Sequence, residues 1–365
     1  MSENNTTNPP PAPEVLPSDA VQRVSRLGLF LPVAFLVVLL VGWSAFWFVA
    51  RARVHDAITI WLAQEAEQQR QWSCPDRTVA GFPFRFEVRC TDLRFSGTTP
   101  AGTVTGTLAH FLAVAQVYKP NHVVVEAQGP LVADQEGGER ITMDWQSFDA
   151  SAIFSGNRLD RFAIVVTQPS IVAGLNGDRT PVMQAKAWEW HLRIDPERPS
   201  DDHVYDVAFT LSDAQLPALD VALGTQDAAT IAFKGAITEA APFTAKAPSV
   251  EFERWRLAGG VFEIDELSLT KGPQRLQARG QLSIDDFRRP QGRIEASVTG
   301  LEDLLTRFGL GGRSNAIANG LAILGGRNAQ AENAIPGLTP LPPITIRDGQ
   351  VFVGPFGVSR VAPLY

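Results

Sequence analysis

Residues Leu27 to Ala50 form an uninterrupted run without a charged side chain, closed by Arg26 on one side and by Arg51 and Arg53 on the other. As a helix this run is about 36 Å long, enough to cross a hydrocarbon core of about 30 Å with some tilt. A cleaved signal peptide has a shorter apolar core, about 7 to 15 residues. Ala50-Arg51-Ala52 has the form of a cleavage site, but the run is too long and follows 26 residues rich in Pro, Asn and Thr. The run therefore reads as an uncleaved anchor. Trp43, Phe46, Trp47 and Phe48 crowd one end of it, as in an interfacial aromatic belt.

Four segments follow from that anchor: a disordered cytoplasmic tail over 1–26, a transmembrane helix over 27–50, a membrane-proximal helix over 51–72, and a β-rich domain over 73–365. The tail combines Asn, Thr and Pro with almost no large apolar side chain. The proximal helix is read from Ile58, Trp61, Leu62 and Glu65 at helical spacing. Orientation is not set by charge, because Arg23 and Arg26 before the span are balanced by Arg51 and Arg53 after it. The only cysteines, Cys74 and Cys90, sit close together just beyond the span, without partners at zinc-finger spacing. Such a pair points to a disulfide in an oxidising compartment, the alternative being two unrelated buried thiols. A disulfide would place the tail in the cytoplasm and the large domain in the periplasm, with the anchor in the inner membrane.

Net charge excludes one class of partner. With 32 basic and 39 acidic residues and a net charge of −7, the chain has no basic stripe for nucleic acid. From Val79 to about Thr299 the hydrophobic pattern has period two, clearest in Tyr205-Val207-Phe209-Leu211, Trp188-Trp190-Leu192-Ile194 and Leu276-Ala278-Gly280-Leu282-Ile284. Turn-forming pairs, among them Gly137-Gly138, Asn176-Gly177 and Gly259-Gly260, separate the runs. The fold class is mainly β: a transmembrane helix followed by a large curved antiparallel sheet with a few short helices. Glycines in three similar strand segments, Gly129, Gly235 and Gly280, suggest repeated bends. Gly300 to Phe308 reads as a short helix, the Gly-Gly-Arg segments near 311–313 and 325–327 as helix caps, and Ile344 to about Phe356 as a last strand with Asp348-Gly349 as a turn.

Chemistry is sparse. The sequence holds no H-E-x-x-H, G-x-S-x-G or C-x-x-C motif, and its five histidines are scattered. The expectation is a non-enzymatic protein without cofactor or metal. Trp188, Trp190, Phe209 and Phe233 are candidates to line an apolar, lipid-holding trough. The competing expectation is an envelope scaffold with a closed β core that binds other envelope proteins.

The stretch Val79-Ala80-Gly81-Phe82-Pro83-Phe84-Arg85-Phe86-Glu87-Val88-Arg89-Cys90, and Arg347 to Phe356 ahead of Ala362-Pro363-Leu364, resemble domain-of-unknown-function family 2125, uncharacterised proteins of alphaproteobacterial envelopes. The run from Gln277 through Ile294 is similar in style to AsmA-like envelope proteins. That likeness implies one N-terminal anchor and a long curved sheet with an apolar inner face thought to hold lipid. Neither resemblance supplies a catalytic residue.

Overall fold

A computed structural model describes residues 27–99, 102–156, 158–175, 177–199, 202–240, 248–299 and 337–365. The expected tail, the helix from Gly300 and the two Gly-Gly-Arg segments lie outside them. The chain divides into two units, 1–48 and 49–365. The first contains most of the apolar part of a long helix, α1 (Leu27–Glu67). That helix is long and apolar enough to cross a membrane. Its apolar side chains point outward, with Phe35 67% and Val38 70% exposed, as suits a helix solvated by acyl chains.

In the second unit α1 ends at Glu67, five residues before the expected limit. Gln68 and Gln69 donate to the carbonyls of Glu65 and Ala66, and Gln69 adopts φ 60°, which turns the chain out of the helix. Arg70 then opens a strand and clamps Glu65, its Nε and Nη2 each 2.6 Å from a carboxylate oxygen. The Arg70 guanidinium holds the Glu65 carboxyl below the usual range although the side chain is buried. Trp61, Trp72 and Phe95 stack in sequence with centroids 6.1 and 5.5 Å apart, so the end of the helix packs on the first strands.

The strands are β1 (Arg70–Ser73), β2 (Thr78–Ala80), β3 (Arg85–Thr99), β4 (Gly102–Gln116), β5 (Lys119–Gln135), β6 (Glu139–Asp144), β7 (Ser147–Ser155), β8 (Arg158–Thr167), β9 (Ser170–Leu175), β10 (Thr180–Gln184), β11 (Ala187–Ile194) and β12 (Tyr205–Ala214). After α2 (Pro217–Leu223) come β13 (Ala229–Ile237), α3 (Pro248–Leu257), β14 (Phe262–Lys271), β15 (Gln274–Ile284), β16 (Pro290–Val298), β17 (Thr339–Pro340), β18 (Ile344–Arg347), β19 (Gln350–Val353) and β20 (Phe356–Arg360). All pair antiparallel in one sheet. The expected last strand is thus three, reversed at Asp348-Gly349, both at positive φ as a tight hairpin requires.

The main ladder runs from β1 and β2 through β3, β4, β5, β7, β8 and β11, then in chain order to β16, and on through β18 to β20. Among the described residues its two edges do not pair, so the sheet is open and the closed-core expectation is set aside. Closure would need the short strands at the two ends to share a ladder, and among the described residues β20 pairs with β19 alone.

One half of β5 departs from this ladder: Leu131 to Asp134 pair with β6, which continues to β9 and β10. The strands are therefore broken in line at Trp145-Gln146, Gln168-Pro169 and Ala185-Lys186. Pro169 lacks an N–H and is fully buried where the ladder is interrupted. Across this crease Met183 packs with Leu211 and Ala214, joined by Ile171, Trp188, Phe209 and Ile231. Beside the crease α2 covers one end of the sheet. Lys271, with no exposed surface, donates to Asp220 Oδ1 of α2 at 2.5 Å and to the Asp227 carbonyl. A charge this deep persists only because both partners are in place.

The disulfide is formed. Cys74, between β1 and β2, joins Cys90 on β3 with sulfurs 2.00 Å apart. At the opposite side of the sheet Glu253 of α3 accepts from Tyr365 Oη at 2.7 Å and from Arg256 at 2.9 Å, while Phe252 stacks on the Tyr365 ring.

Candidate apolar binding face

Period two places alternate residues of each strand on one face, and the observed registers, despite local shifts, keep that face continuous across the sheet. One row reads Val79, Val88, Ala113, Val125, Ala150, Ile164, Trp190, Phe209, Phe233, Leu267, Ala278 and Ala296, one residue from each strand in ladder order from β2 to β16. Every member is apolar. A second row runs from Phe86 through Phe162, Leu192 and Val207 to Ile294, Ile344 and Val353, interrupted only by glycine. A third runs from Cys90 and Phe111 through Phe148, Trp188, Leu211 and Ile231 to Val298.

The opposite face is polar. The residues between the first and third rows read Arg89, Leu112, Glu126, Asp149, Val165, Glu189, Thr210, Ala232, Ser268, Gln277 and Ser297. Several of its charges are paired: Arg193 with Asp206 at 2.8 Å, Arg198 with Glu263 at 2.6 Å, and Arg279 and Arg293 with Glu295, each at 3.3 Å. A hollow of about 550 Å³ over β14 to β16 is bordered by several of these ions, so it is a polar surface depression.

The register shifts have a local cause. Gly235 and Gly280 share the second row and flank a register shift in β14. A Cβ on Gly235 would lie 2.0 Å from the Glu263 carbonyl oxygen, and one on Gly280 2.2 Å from that of Arg293. The neighbouring backbone closes in where a side chain is missing, at the point where the register shifts. Gly129 lies at the register shift between β4 and β5, and its Cβ would meet Asp144 Oδ1 at 2.7 Å. The three strand glycines thus mark irregular points, as their sequence context suggested.

The four aromatic candidates converge. Trp190, Phe209 and Phe233 are direct neighbours in one row, and Trp188 meets Phe209 with centroids 6.5 Å apart. Their environments differ. Trp188 and Phe209 are half-buried against the crease core, and Phe233 is half-buried and stacked on Phe262 at 5.2 Å. Trp190 is 43% exposed. Of the four it offers the most surface to an incoming ligand. A second hollow of about 370 Å³ is bordered by Cys90, Phe111, Ala127 and Phe148 of the third row together with polar residues of the other face, among them Arg89, His110, Glu126 and Asp149, so it is not a purely apolar site. Trp145 borders this corner, donating Nε1–H to the Ala127 carbonyl at 2.9 Å with its ring 5.5 Å from Phe148. Sequence reasoning missed this hollow, because Phe111 and Phe148 meet only through the register of β4, β5 and β7.

Among the described residues no cluster of His, Cys, Asp or Glu is arranged to hold a metal. Tyr205, whose hydroxyl donates to the Leu159 carbonyl at 2.6 Å, has its pKa pushed up by burial and serves to join β12 to the β8 end.

A search of curated proteins finds no match to the sequence. A family model described as an uncharacterized protein conserved in bacteria, DUF2125, matches residues 47–362, and the chain belongs to that family.

Proposed function

We propose that this protein is a single-pass inner-membrane protein whose sheet domain works in the periplasm and carries lipid, or another long apolar molecule, on its apolar face without catalysing a reaction. The carrying observation is the run of apolar rows across as many as thirteen strands of an open sheet. A soluble sheet normally hides such a face beneath a second layer. Here Trp190 remains 43% exposed within it. A ligand of linear hydrocarbon suits a long strip whose three rows, among the described residues, consist of apolar side chains and glycine. The apolar α1 segment supplies an anchor beside a lipid source, and the Cys74–Cys90 bond suits an oxidising compartment.

Two measurements test this reading. Organic extraction and mass spectrometry of the purified full-length protein should recover lipid beyond the detergent control, and Trp190→Glu should lower that yield with the fold intact. Recovery of no lipid from the wild type would overturn lipid carriage. For orientation, a C-terminal alkaline phosphatase fusion should be active. An inactive fusion beside an active cytoplasmic reporter at the same site would reverse it.

A further inference from the structure

We infer that the turns β2–β3 and β4–β5 form an aromatic foot that inserts into the headgroup region of the bilayer holding the anchor. Phe82 and Phe84 stand at the β2–β3 turn, 50% and 62% exposed, and Tyr118 at the β4–β5 turn is 70% exposed. The turns are adjacent, since Val117 N–H donates to the Phe84 carbonyl at 2.9 Å. Lys119, exposed beside Tyr118, completes the pattern of rings with a neighbouring cation that suits an interface with anionic phosphate.

Height along the helix selects this end of the sheet. Trp72 stacks on Trp61 and donates to Glu65. Five residues later, Arg77 reaches Thr59 Oγ1 at 3.2 Å and His55 Nδ1 at 3.5 Å. Between those points the chain descends roughly six helical residues, about 9 Å toward the base of α1. Arg51 and Arg53 lie about five helical residues, roughly 8 Å, below that point, and the chain from Arg77 through β2 to Phe82, at about 3.3 Å per residue, is about 16 Å long, more than enough to bring Phe82 down to their level. Those arginines mark the polar limit of the uncharged run. A second copy or a protein partner has no comparable claim on the turns, because the bilayer is already held at that height by the same chain. The inference rests on the anchored reading above and is independent of whether the apolar face carries lipid.

Depth-dependent quenching tests it. The native cysteines are bonded to each other, so one added thiol labels a single site. In full-length protein reconstituted into phosphatidylglycerol-containing nanodiscs, an environment-sensitive dye is attached at Phe84→Cys, at Tyr118→Cys, or at two controls. Val221→Cys lies on α2 at the other end of the sheet and is 86% exposed, and Phe46→Cys lies within the span. The dyes at 84 and 118 should lose about twofold more emission than that at 221 with lipids spin-labelled high on the acyl chain, and less with deep labels, as expected for interfacial burial of about 5 to 10 Å. Quenching at 84 no greater than at 221, with strong quenching at 46, overturns the foot and leaves the anchor standing. Absence of quenching at 46 overturns the anchor and the foot together. A retained Cys74–Cys90 bond, checked by thiol titration of each variant before labelling, shows that the labelled turn has kept its fold.

Discussion

The crease around β10 to β12 and the stretch from β13 to β16 are built from the same alternating pattern, yet among the described residues only the first gathers its buried side chains into one packed cluster, while in the second buried Ile264, Ala278, Ala296 and Val298 alternate with partly exposed neighbours. At the crease the sheet folds on itself, so Met183 and Ile171 face Leu211, Trp188 and Phe209, and Val166 and Ala214 lose all exposure. In the open stretch Phe233 and Leu267 are only half-buried, stacked on row neighbours and on Phe262. Alternation specifies which face is apolar, but whether that face is covered depends on a break in the strands, which a pattern of period two does not encode.

Substitutions on the two sides of this divide should separate sharply. The largest effect belongs to Asp220→Ala, which strands the fully buried Lys271 ammonium and should cost about 3 to 5 kcal/mol. Urea denaturation gives the value, and a loss below about 1 kcal/mol would mean that α2 does not seal that end. Phe209→Glu places a charge against the crease core and should destabilise by several kcal/mol. Breaking the Cys74–Cys90 bond by Cys74→Ala should cost about 3 kcal/mol, read as a lowered denaturation midpoint. An unchanged midpoint would indicate that the α1 contacts alone hold β1 and β2.

Trp190→Glu sharpens the comparison most, because Trp190 is the direct row neighbour of Phe209 but is 43% exposed. Stability should change by about 1 kcal/mol or less, while lipid recovery falls. Equal unfolding of the Trp190 and Phe209 variants would mean that the face is covered in solution. The smallest effect is a pH response at α3. Hydrogen bonds from Arg256, then from Tyr365, lower the Glu253 pKa from 4.5 to about 2. A carboxyl depressed on folding contributes stability above its ordinary value and loses it as pH falls. Amide exchange in α3 should therefore quicken between about pH 4.5 and 2. No change there would show that the Glu253 contacts do not hold α3.

The sequence by itself determined a helix long and apolar enough to cross a membrane, the cysteine pair, the β class and the identity of the apolar face, because each is written in local order: an uncharged run, a short separation, an alternation. It also marked Gly129, Gly235 and Gly280 as irregular points, since a strand position without a side chain invites close approach. The tertiary structure decided the rest. That Trp188 and Phe209 join a core while Trp190 stays accessible follows from the crease bringing β9 and β10 over them. That Lys271 is buried at all follows from Asp220, fifty-one residues earlier, closing over it. Exposure and ion pairing are properties of what lies opposite a residue, and for a sheet of this size the opposite residue is set by register and by breaks in the ladder, neither of which local sequence specifies.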